Sequence, residues 1–161
     1  MRLTKKGSFA DLFFIVPVFF MVAVIIFIFY AIFSQINAQV QANDGISTEG
    51  KTIISNAKNK YIAVFDNIFL VLFIFVLIFI LVLAASVDIN PIFFPLSIIL
   101  YIGVTILAAI LGNVYYHILS DPSLQSYALE FTIIPFVFNN LVKIMIGEAI
   151  LLGVVMYGKQ Q

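Results

Sequence analysis

The groups able to do chemistry in this chain are few, and five of the more unusual ones share a single apolar stretch. Phe136–Leu152 reads FVFNNLVKIMIGEAILL, setting Asn139, Asn140, Lys143, Gly147 and Glu148 among aliphatic and aromatic residues. An amine and a carboxyl in such surroundings could bind a neighbouring helix, line a proton or ion path, or reach for the headgroups. With Asn139 as the origin of a helical wheel, Lys143 falls at about 40°, Gly147 at about 80°, Asn140 at about 100° and Glu148 at about 180°. Glu148 is therefore about 140° from Lys143, and the two cannot pair favourably on one helix. Each needs a partner elsewhere.

Other signatures are weak or absent. Gly45–Thr52 matches the P-loop spacing GxxxxGKT, but it lies in a polar linker, with no apolar strand before it and no room for an α/β fold. No Gly-x-Ser-x-Gly elbow or His-Glu-x-x-His pair occurs. Asp66 and Asp88 stand near opposite ends of one apolar run, too far apart for a carboxyl dyad; Asp66 is expected to meet headgroups or cap a neighbouring element. The chain has no Cys and one histidine, His117, which is read as an interfacial or capping side chain. Together these observations predict a non-enzymatic protein without a cofactor or metal site. Eight basic against eight acidic residues leave no net field for a nucleic acid.

The elements that must position these groups follow from composition. Of 161 residues, 63% are hydrophobic and 10% charged, and mean hydropathy is +1.17. Soluble domains are about 45–50% apolar and about 25% charged, so the main solvent here is lipid. Runs at Leu12–Phe33, Ile62–Val87, Phe93–Tyr116 and Phe136–Tyr157 can each cross a bilayer, predicting an all-α, polytopic membrane protein in one domain. The first run exceeds the apolar core of a signal peptide and is read as a retained span.

Start signals precede these runs: Ser8-Phe9-Ala10-Asp11 has capping-box spacing, and Asn90-Pro91 and Asp121-Pro122 suit a cap and first helical position. The turn near Asn90 is short, placing the third helix antiparallel beside the second. The third helix carries Ala108 and Gly112 four apart, a pair that admits another backbone, and ends in an expected interfacial belt, Tyr115-Tyr116-His117. Pro135 is expected to divide an interfacial segment, Ser123–Ile134, from the last span. Residues 34–61 form the one sizeable polar stretch. Ile36 and Val40 continue one apolar face, and Ile53 or Ile54, Ala57, Tyr61 and Phe65 another, so a two-helix stalk reversing near Asn43–Gly50 is expected, with a flexible loop as the alternative.

Arg2, Lys5, Lys6 and Lys159 on one side against Lys51, Lys58 and Lys60 on the other put the N-terminus inside. Energetics bear on the last span. Its twelve Leu, Ile, Val and Phe residues contribute roughly −5 kcal/mol to insertion, against roughly +6 kcal/mol for a centred lysine and carboxylate. Such a helix needs neighbours that cover its polar groups, which favours an oligomeric assembly role for Asn139, Asn140, Lys143, Gly147 and Glu148. Transport along Lys143 and Glu148, and snorkelling of Lys143, remain as alternatives.

The opening MRLTKKGSFADLFFIVPVFFMVAVIIFIFYAIFSQIN has a Lys-Lys-Gly start, an aromatic and Asp cap, and one long span leading into a polar helix. It resembles small integral membrane proteins of icosahedral viruses with an internal membrane and of related integrated viral elements. The resemblance implies residence in a cell membrane or internal virion membrane, and contact with other membrane or capsid-type subunits. It carries no residue roles. The expected function is that of a structural or assembly protein; the alternative is a small subunit of an ion- or proton-translocating complex, or a holin-like pore former.

Overall fold

A computed structural model describes residues 12–86 and 93–158, which contain five helices and no strand. They are α1 (Leu12–Ala42), α2 (Thr48–Ser86), α3 (Phe93–Leu119), α4 (Pro122–Ala128) and α5 (Ile133–Gly158). Four of them are long and apolar enough to cross a membrane: Phe14–Ala42, Thr48–Val82, Ile98–Leu119 and Ile133–Val155. The chain is a polytopic helical membrane protein. The expected caps at Ser8–Asp11 and Asn90-Pro91, and the basic residues Arg2, Lys5, Lys6 and Lys159, lie outside the described residues.

At 31 and 39 residues, α1 and α2 measure about 46 and 58 Å, well beyond the roughly 30 Å of hydrocarbon. Their far ends form the stalk and reverse through residues 43–47. The reversal is held locally. Gly45 N–H donates to Asn43 Oδ1 at 2.9 Å, and Gly50 N–H donates to the Ser47 hydroxyl at 3.2 Å, which caps the start of α2. Gln41 and Lys51 clasp across the turn, each side chain donating to the other's backbone carbonyl at 2.9 Å. The apolar seam is partial: Ile54, Tyr61 and Phe65 turn inward, whereas Ile36 and Ile53 are exposed.

Inside the bilayer α5 packs against both α2 and α3, and so does α1. This corrects the expectation that α3 lies beside α2: these two make little direct contact among the described residues, because α5 occupies the place next to α2. Aromatic rings fill the centre. Phe19 meets Phe69 at a centroid distance of 4.5 Å, Tyr115 stacks on Phe138 at 4.4 Å, and Phe20 meets Phe138 edge-on at 5.7 Å. Outward faces are apolar too, with Phe14, Val71, Phe75, Ile99 and Val154 among the exposed residues. That inversion is expected where lipid is the solvent.

Two further boundaries differ from expectation. The break before the last span falls at residues 129–132, and Pro135 sits in the first turn of α5. Tyr115 is buried and stacked instead of joining Tyr116 and His117 at the surface. Ring area placed against Phe138 outweighs the reach of one hydroxyl to water.

Candidate functional site: polar groups of the bundle

Asp66 of α2 is buried, and its carboxylate binds the start of α5. Oδ2 accepts from the N–H groups of Thr132 at 2.9 Å and Ile133 at 2.8 Å, and Oδ1 accepts from Ile134 at 2.9 Å. Pro135 has no N–H, and the Phe136 N–H opens the helical ladder to the Thr132 carbonyl at 3.3 Å. The opening turn is thus fully accounted for by one carboxylate and one proline. The anion also faces the positive end of the helix dipole. Of the two outcomes expected for Asp66, it caps a neighbour.

Glu148, about 21 Å further along α5 from Ile134, is also buried. The Tyr101 hydroxyl of α3 donates to Glu148 Oε2 at 2.9 Å and lies 3.1 Å from the Met145 carbonyl. Glu148 Oε1 and the Tyr115 hydroxyl have no partner among the described residues. Among the described residues, Glu148 is the one polar side chain lining a cavity of about 30 Å³ walled by Ile15, Phe19, Phe73, Val76, Leu141 and other apolar side chains. The volume suits a single water, but one polar group offers fewer than the two to four partners that a buried water takes.

A third polar cluster ties α1, α2 and the α4–α5 turn near the stalk. The Tyr30 hydroxyl donates to Glu130. Lys58 Nζ lies 3.5 Å from the other Glu130 oxygen and 5.7 Å from the Tyr30 ring centroid. Tyr61 donates to the Ile26 carbonyl at 3.2 Å, pinning α2 to α1. Asp121 caps α4 as expected, accepting from both the hydroxyl and the N–H of Ser123, which hold its carboxyl below the usual range. His117 is exposed at the end of α3, and its carbonyl accepts from the Ser120 hydroxyl.

The five sequence-selected residues of α5 divide. Glu148 faces inward, while Asn139, Lys143 and Gly147 are exposed and Asn140 is half-buried. Lys143 Nζ donates to Asn140 Oδ1 at 3.3 Å, and the Asn140 amide donates to the Phe136 carbonyl at 2.9 Å. A methyl group added at Gly147 would meet nothing within 4 Å. At Gly112 it would come within 3.3 Å of the Phe138 carbonyl, and Ala108 on the same helix is fully buried, so α3 and α5 approach closely there. Asn139 borders a groove of about 260 Å³ with Tyr116, Ser120, Gln125 and Pro135.

Sequence reasoning did not select Tyr30, Tyr101 or Glu130. The available signal was a tyrosine inside an apolar helix, whose hydroxyl needs an acceptor when buried. Comparison with protein families, with curated proteins and with solved structures finds no match.

Proposed function

We propose that the chain is a non-enzymatic structural subunit that packs through α5 into a larger membrane assembly. The carrying observation is the outward face of α5, where Asn139, Lys143 and Gly147 are exposed on a helix that crosses the bilayer. The two buried acids of the bundle, Asp66 and Glu148, are turned inward and bonded. Among the described residues, Lys143 has one side-chain acceptor for its three donors. A polar face left toward lipid is costly, and covering it with protein relieves that cost. The N-terminal resemblance supports an internal virion membrane as the setting, with the stalk directed at a protein shell.

A translocating role draws support from the unpartnered Glu148 Oε1 beside its cavity. The apolar wall of that cavity and the placement of Lys143 on the opposite face weigh against a shared path. Native mass spectrometry of gently extracted protein tests assembly. Complexes of more than one chain are expected, and a chain that is monomeric throughout would overturn this reading.

A further inference from the structure

Resting on that assembly role, we propose that the α5 face receives one transmembrane helix of a different protein, carrying an aspartate or glutamate at the depth of Lys143. The depth is defined by the helix. Lys143 lies about 15 Å along the axis from Ile133 and about 22 Å from Gly158, placing its Cα near the middle of roughly 30 Å of hydrocarbon. Its ammonium is held at 3.3 Å by a neutral amide of its own helix, with no carboxylate among the described residues to neutralise it.

Charge complementarity selects the occupant. Within the apolar runs, the described residues of a second copy of this chain offer Asp66 and Glu148, but both are buried and engaged, by the α5 N-terminus and by Tyr101 respectively. A two-fold pairing along α5 would instead bring Lys143 toward its own copy, and like charges in lipid repel strongly. Charge complementarity therefore points to an acid on another chain. Room for that helix is present: Gly147, one turn further along α5, leaves open space where a side chain would stand, and Phe136, Ile146 and Ile150 supply exposed apolar surface on the same side.

The test uses full-length, donor-labelled protein in phosphatidylcholine vesicles. The probe is an acceptor-labelled, leucine-rich single-span peptide with a central aspartate, compared with the same peptide carrying leucine there. Energy transfer should show the aspartate peptide associating about tenfold more strongly, the equivalent of one good interhelical polar contact. Lys143→Leu, which inserts at least as readily, should abolish the difference; Lys143→Arg should retain it, and Gly147→Leu should weaken association of the aspartate peptide. Equal association of both peptides, or a preference that survives Lys143→Leu, would overturn the proposal and leave Lys143 as a snorkelling side chain. Self-association of the protein without capture of the aspartate peptide would also overturn it, naming a second copy as occupant while the assembly role stands. Absence of both would sink the assembly role as well.

Discussion

Asp66 ties α2 to the start of α5 by answering three backbone donors that the helix itself leaves without acceptors. Substitution by alanine strands those N–H groups at a helix start where Ile134 is buried and Ile133 half-buried. Loss of stability on the order of 3 kcal/mol is expected, toward the upper end for hydrogen bonds to a charged acceptor. Asp66→Asn, which keeps one acceptor oxygen, should lose less. Tyr101→Phe removes one donor from Glu148 and should cost about 1 kcal/mol, in line with the modest worth of interhelical hydrogen bonds in bilayers. Tyr115→Phe deletes a hydroxyl with no partner among the described residues and should leave stability nearly unchanged. Reversible unfolding in mixed micelles measures all four; a ranking in which Tyr115→Phe exceeds Asp66→Ala would contradict the assignments.

At the scale of elements, α5 is the helix that organises the bundle. It is capped by α2, hydrogen-bonded to α3 through Glu148, and packed against both. Its two glycine contacts have opposite characters. Gly112 of α3 faces the α5 backbone across a narrow gap, whereas Gly147 of α5 faces away from the bundle. Gly112→Leu should force α3 and α5 apart and destabilise the isolated protein by about 1–3 kcal/mol, the usual range for overpacking. Gly147→Leu should change the stability of the isolated protein by no more than about 0.5 kcal/mol. Thermal melts in detergent separate the two, and equal losses would mean that the faces have been misassigned.

For the whole molecule, four crossings place the stalk turn and the C-terminal end of α5 on opposite sides of the membrane. Trypsin added to sealed vesicles should cut at Lys51 and spare a C-terminal tag in one orientation, and do the reverse in inverted vesicles. Cleavage at both sites from the same side would refute the four-span arrangement. The stalk, clasped through Gln41 and Lys51, extends past the roughly 30 Å of hydrocarbon on one side.

Much of this architecture was legible from local information. Unbroken apolar runs determined the four spans, helical spacing through residues 34–61 indicated the stalk, and the wheel of α5 separated Lys143 from Glu148 before any contact was known. Tertiary structure alone decided how the helices neighbour one another and which groups answer which. Asp66 meets Ile134 across 68 positions, and Tyr101 meets Glu148 across 47. Such pairings carry no periodic trace in the chain. Nearly uniform apolar helices also lack a distinct buried face, since lipid and protein interior reward the same side chains. Neighbour order was therefore left to a few polar groups and close-packed small residues, and only their meeting in space showed that α5 stands between α2 and α3.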